Sequence, residues 1–224
     1  MKPLTRNLSK RVRKHWTPSC LKSAEQCPAK YFWTYEDVVL GKPETSPAAE
    51  RGHEIHAQLE NYLLGTSIVL PNEAWAEPMR ALKTSGAIAE ELWELDREWK
   101  RTARQPPWGR LRMDAYWLST DHITVVDFKT GRVYPEHDDQ MQLYAIAAGA
   151  NFPATHVTAE LWYIDRNETH AKTYSREELD DLQPYWEKRA QDLLTRTIFP
   201  ETPSEEACRW CPFSKKKGGP CRSA

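Results

Sequence analysis

No apolar stretch in the 224-residue sequence approaches the ~20 residues of a membrane span; the longest candidate, around Leu143–Ala150, is far too short. The basic N-terminus has no apolar run behind it, which predicts no secretory signal. Cysteine is scarce, at five residues. Without a signal, so few argue against a disulfide scaffold and for metal or redox chemistry in a reducing, cytoplasmic compartment. Internal repeats and low-complexity segments are missing, and so is any Gly-x4-Gly-Lys-[Ser/Thr] run, so the chain carries no ATP-driven motor. What is present, 40% hydrophobic and 28% charged residues, describes a globular chain with room for one large domain or a core with a small appendage. Net charge is nearly absent as well, at a formal -1, which would exclude a nucleic-acid partner if the charge were evenly spread.

It is not evenly spread. Residues 1–24 carry Lys2, Arg6, Lys10, Arg11, Arg13, Lys14 and Lys22 and no acid, and residues 209–224 carry Arg209, Lys215, Lys216, Lys217 and Arg222 and no acid. The ends therefore hold +12 against -13 in the middle. The cysteines divide the same way, with Cys20 and Cys27 near the start and Cys208, Cys211 and Cys221 near the end. A site that gathers cysteines from both ends also gathers both basic segments, and such a patch attracts phosphates.

Periodicity and breakers give a coarse order of elements. Residues 19–40 read as a helix that Pro28 interrupts, followed by a polar connector over 41–46. Residues 47–64 read as an amphipathic helix, with Pro47 in its first turn, Ile55, Leu59 and Leu63 inward and Gly65 at its exit. Residues 75–95 read as helical too. Strands are expected over 110–118, 123–129 and 156–164, with Thr120-Asp121 as the tight turn between the first two. Helices are expected over 138–149 and 176–195, and a cysteine-bearing tail closes the chain. The sum is a mixed α/β core with helical arms.

The chemistry concentrates in residues 109–129. Side chains alternate along a strand, so Asp127 and Lys129 share a face and Phe128 takes the other. The hairpin lays Asp114 on the neighbouring strand, so two carboxylates and a lysine converge. Ionised carboxylates this close require a proton or a cation between them, and hard oxygen ligands suit Mg2+ or Mn2+. Lys129 would then orient or deprotonate a water, or neutralise charge in a transition state. His56 faces inward from the 47–64 helix and is either a core histidine or a ligand. His53-Glu54-Ile55-His56 is one residue short of the zinc-protease spacing. Gln140 and Tyr144 stand at i,i+4 on one helix face, placed to hold a water, a phosphate or a base, or to close a core edge. Three of the ten tryptophans, Trp33, Trp108 and Trp210, lie nearest these segments and are candidates to stack on bases.

Six segments in order resemble the RecB-type branch of the PD-(D/E)xK nuclease superfamily, and within it the small iron–sulfur exonucleases of CRISPR systems and phages. They are Cys27-Pro28-Ala29-Lys30-Tyr31-Phe32, Gly52-His53-Glu54-Ile55-His56, Gly109-Arg110-Leu111-Arg112-Met113-Asp114, Val125-Val126-Asp127-Phe128-Lys129-Thr130-Gly131, Gln140-Met141-Gln142-Leu143-Tyr144-Ala145 and Cys208-x2-Cys211-x9-Cys221. The first acid follows Met113 rather than proline, and the second is Asp127 where many such exonucleases have Glu. The resemblance implies a restriction-endonuclease-like core over 47–200, an N-terminal segment over 1–46 that supplies the first cysteine, and a cysteine tail over 201–224. It implies Mg2+ or Mn2+ on His56, Asp114, Asp127 and the Phe128 carbonyl, Lys129 as the catalytic lysine, and Gln140 and Tyr144 in DNA handling and active-site support. It implies a [4Fe–4S] cluster on Cys27, Cys208, Cys211 and Cys221; by ligand count alone, tetrahedral Zn2+ fits equally. Cys20 is left outside the ligand set. The implied reaction is exonucleolytic hydrolysis at single-stranded or frayed DNA ends, with a helicase or a recombination or CRISPR-adaptation protein as partner. A non-catalytic, cluster-bearing DNA-binding or assembly protein is the competing expectation.

Overall fold

The computed structural model describes residues 4–6, 14–37 and 46–223. Lys2, Lys10, Arg11 and Arg13, the connector over 41–45 and the end of the expected helix over 38–40 lie outside the described residues. The chain divides into two compact units. One is continuous, residues 45–186, and the other is built from both ends, residues 1–44 and 187–224.

In the continuous unit, a helix (α3, Pro47–Leu64) follows two short helices of the other unit. Ser46 Oγ accepts the Ala49 amide at 3.2 Å, Pro47 occupies the first turn, and Gly65 ends the helix at φ 77°, a conformation that glycine adopts without strain. A 3-10 turn over Glu73–Trp75 leads into α4 (Ala76–Thr84). Five strands follow, β2 (Ile88–Leu95), β3 (Gly109–Leu118), β4 (His122–Lys129), β5 (His156–Tyr163) and β6 (Glu168–Ser175). They form one mixed sheet in the order β2-β3-β4-β5-β6. Only β4 and β5 pair in parallel, and α5 (Glu136–Asn151) makes the crossover that a parallel pair requires. α3 and α4 bury Ile55, Leu59, Leu63, Met79 and Leu82 against Ala115, Val126, Phe128, Trp162 and Ile164. α5 is buried nearly all round in its second half, from Leu143 to Gly149.

Two elements differ from the sequence expectation. Helix was expected to Leu95 but stops at Thr84; Ser85 and Gly86 turn the chain, Gly86 at φ 76°, and residues 88–95 pair with β3 as a strand. The composition there, Ala-Glu-Glu-Leu-Trp-Glu-Leu, favours helix locally, and strand pairing with β3 overrides it. β6 was not anticipated. It is an edge strand exposed from Thr169 to Thr173, so it lacks the apolar alternation that marks a strand. α6 (Arg176–Thr195) matches its expected range despite Pro184 inside it.

The second unit joins the two chain ends. β1 (Leu4–Thr5) pairs antiparallel with β7 (Ile198–Phe199). α1 (Pro18–Gln26) stops at Cys27, α2 (Pro28–Tyr31) restarts with Pro28 in its first turn, and a π-helical turn over Phe32–Glu36 follows. Pro28 thus breaks the expected helix, and the break leaves Cys27 extended between two helices. Arg6 pairs with Glu36 at 2.7 Å with both side chains about 5% exposed, and Ala29 donates to the Pro200 carbonyl at 3.1 Å. α7 (Glu205–Arg209) carries Cys208.

Candidate active site

The site begins where the β3–β4 ladder ends. Pairing runs from Leu118–Ile123 to Ala115–Val126. Beyond that point the strands part, and side chains take over the backbone groups. Asp114 Oδ2 accepts the Phe128 amide at 2.7 Å, and the Tyr144 hydroxyl, from α5, donates to the Arg112 carbonyl at 2.8 Å. The residues that the sequence singled out on β3 and β4 therefore occupy a split in the sheet, with α3 and α5 supplying the rest.

Asp114 and Asp127 are both buried. Asp127 Oδ1 accepts from Gln140 Nε2 at 2.9 Å, with Tyr144 Oη at 3.2 Å. Asp127 Oδ2 is buried and accepts no hydrogen bond, although the Lys129 ammonium contacts it as an ion pair. Gln140 Oε1 accepts from Lys129 Nζ at 2.7 Å, so this one amide holds the carboxylate with its nitrogen and the ammonium with its oxygen. His56, half-buried on α3, places Nδ1 3.4 Å from Asp114 Oδ1. Phe128 points away into the apolar core with α3, as strand alternation requires.

The electrostatics follow from this crowding. Burial and then the Asp127 charge push the Asp114 carboxyl above its usual value, against the hydrogen bonds from His56 and the Phe128 amide. Burial pushes the His56 imidazole down, but its hydrogen bond to Asp114 and the charges of Asp114 and Asp127 outweigh that and leave it raised. Burial, Asp127 and Asp114 push the Tyr144 phenol far up, so it stays a neutral donor behind the carboxylate.

Two buried carboxylates and a half-buried imidazole make a donor set of the kind that holds Mg2+ or Mn2+, so the residues fit such a metal. Among the described residues, His56, Glu90 and Asp114 bring ligand atoms within 4.8 Å of one another. Glu90 was missed by sequence reasoning. It sits on β2, in the segment expected to be helical, at φ 49°, and pairs with Arg112 at 3.0 Å. Its unusual backbone is visible only once the strand is known.

Of the four expected cluster cysteines, Cys27, Cys211 and Cys221 meet in one apolar cluster with Ala29, Trp33 and Phe213; Cys208 is half-buried on α7. Cys20 is fully buried and lies outside that cluster. Trp33 and Trp108 are buried, and Trp210 is exposed.

A mixed sheet flanked by helices thus carries two carboxylates and a lysine at a parted strand pair, a constellation able to hold a divalent metal beside an ammonium. The family profile of the PD-(D/E)XK nuclease superfamily matches residues 15–120 and 112–215, and the chain belongs to that superfamily. It is thus a metal-dependent nuclease, with DNA as the substrate class. The fold is similar to that in the crystal structure of SSO0001, at 17% identity and a TM-score of 0.55, over 96% of this chain and 89% of that one. Comparison with the curated proteins finds no match. Among the described residues, no helix is long and apolar enough to cross a membrane.

Proposed function

We propose that this nuclease is an exonuclease of the RecB-type branch that hydrolyses phosphodiester bonds at single-stranded or frayed DNA ends, in the reducing cytoplasm. The observation that carries the reading is the joint grip on Asp127 and Lys129 by Gln140, beside the buried Asp114 and His56. His56, Asp114, Asp127 and the Phe128 carbonyl would hold Mg2+ or Mn2+, with Glu90 as a further candidate. Bound there, the metal supplies an acidified water and positive charge facing the phosphate. Asp114 and Asp127 fix where that charge sits. Lys129 brings its ammonium to the phosphate, to neutralise charge or manage a proton. Gln140 holds the lysine and the carboxylate at a set separation, and Tyr144, buried behind Asp127, keeps that carboxylate from turning; both position rather than touch the substrate.

The N-terminal segment to residue 46 and the tail from residue 201 are proposed to share a structural [4Fe–4S] cluster on Cys27, Cys208, Cys211 and Cys221, flanking a nuclease core over 47–200. Tetrahedral Zn2+ on the same four thiolates is the alternative occupant, and the iron and sulfide content of purified protein distinguishes the two. A helicase, or a recombination or CRISPR-adaptation protein, would deliver the ends.

The purified protein is expected to shorten linear single-stranded DNA with Mg2+ or Mn2+ and to do nothing in EDTA. Asp127→Ala and Lys129→Ala should each lower the rate at least about 100-fold. Undiminished cleavage in both variants overturns the mechanism; DNA binding with no cleavage under any divalent metal returns the non-catalytic alternative.

A further inference from the structure

Eight of the ten tryptophans are buried and Trp117 is half-buried; Trp210 is 79% exposed. Leaving an indole in water forgoes the largest apolar burial of any side chain. It is not on a slack loop. Cys208 donates to the Ser204 carbonyl at 3.0 Å, Cys211 donates to the Cys208 carbonyl at 3.2 Å, and Ser204 Oγ caps α7. Backbone bonds on both sides hold Trp210 out to solvent.

Its surroundings are cationic. Lys217 Nζ lies 6.0 Å from the indole centroid. Beside it is a cavity of about 640 Å³ that Arg209, Lys216 and Lys217 line together with Pro203, Ser204, Cys208 and Ser214; Ser223 borders it too, with its hydroxyl bonded to Glu201. Its one acid, Glu205, is paired with Arg209 at 2.9 Å. Three cations against a single, paired acid suit phosphate, and an aromatic face beside phosphate-binding groups suits an unpaired base.

We propose that Trp210 and the cavity lined by Arg209, Lys216 and Lys217 form a binding site for single-stranded DNA. The indole stacks on a base, and the cations hold the neighbouring phosphates. The site is independent of base identity, because every base offers a face to stack. A base paired within a duplex is covered on both faces, so the site selects unpaired strands and frayed ends. The proposal rests on the DNA-nuclease reading for its choice of ligand.

The test uses the full-length protein as purified, without divalent metal, so that nothing is cut. The probe is a fluorescein-labelled oligothymidylate of about 12 nucleotides, read by anisotropy. Trp210→Ala should weaken binding about tenfold, and Trp210→Phe should restore most of the loss. An abasic strand of equal length should bind the wild type as weakly as Trp210→Ala binds the oligothymidylate. Lys216→Ala with Lys217→Ala should lower the slope of log affinity against log salt by about 1 to 2. Wild-type affinity in Trp210→Ala, or an equal loss on the abasic strand, overturns the stacking site, as does an unchanged salt slope for the phosphate seat. Cleavage by the wild type with Mn2+ is measured in parallel. Cleavage with Trp210-independent binding sinks this site alone, whereas Trp210-dependent binding without cleavage sinks the nuclease reading and leaves the site.

Discussion

Asp114 carries two tasks at once. Its Oδ2 takes the Phe128 amide that strand pairing leaves open, and its Oδ1 faces His56. A substitution therefore separates fold from chemistry according to what replaces it. Asp114→Asn keeps an oxygen for the amide and should stay folded, yet lose the stabilisation that Mn2+ is expected to give the wild type. That stabilisation is about 2.7 kcal/mol at a hundredfold excess of metal over Kd, and thermal unfolding with and without Mn2+ reads it. Asp114→Ala orphans the amide as well and should cost a further ~1–3 kcal/mol without metal. Glu90 is separable from the others. If it is a ligand, Glu90→Gln should weaken Mn2+ binding about 10- to 100-fold, by analogy with the cost of disturbing groups around a metal; unchanged affinity in a calorimetric titration would reduce it to the partner of Arg112.

Between elements, the loop after β4 is tied down by one carboxylate. Asp165 Oδ2 accepts the Gly131 amide at 2.8 Å, and both its oxygens pair with Arg51 on α3. Gly52 on the same helix turn approaches Thr130 so closely that a Cβ would stand 3.3 Å from Oγ1. The Arg51 hydrogen bond, against burial and with help from the Gly131 amide, holds the Asp165 carboxyl below its usual value. A depressed carboxylate contributes stability above its unfolded pKa of about 3.9, and that stability is lost as pH falls through the folded value. Asp165→Asn should therefore flatten the loss of stability below about pH 4. The pair is exposed, so its effect at pH 7 should be no more than about 1 kcal/mol by denaturant unfolding. In the tail, Gly219 packs on the Phe213 backbone, and a Cβ there would stand 2.3 Å from its carbonyl. Cys221 donates to the same carbonyl at 3.0 Å. Gly219→Ala must push the segment outward; under the proposed cluster it should lower the iron content of purified protein, while Gly131→Ala, strained at φ 81° but with open space, should leave that content unchanged.

At the scale of the molecule, the chain ends make a unit of their own, through the β1–β7 pair, the buried Arg6–Glu36 ion pair and the Tyr31–Phe199 stack. A cluster held by Cys27 and the tail cysteines would close nearly the whole chain into one loop. Cross-linking so long a loop removes unfolded-state entropy worth roughly 5 kcal/mol at most. Cys221→Ser should thus lower the melting temperature of the terminal unit more than that of the continuous one, seen as two transitions in calorimetry where the wild type shows its units closer together.

Much of this was legible beforehand. The helix over 47–64, the hairpin that carries Asp114 and Asp127, and the crossover helix with Gln140 and Tyr144 follow from periodicity, capping residues and strand alternation, which are local properties. The separation of +12 from -13 and the cysteine spacing are likewise fixed by order alone. Tertiary structure decided the rest, because long-range pairing outweighs local preference. It made residues 88–95 a strand, which set Glu90 beside Asp114 and His56. It parted β3 from β4 at Asp114, which opened the site. It also chose one tryptophan of ten, Trp210, to face water, since burial depends on what packs against a side chain and no composition count contains that.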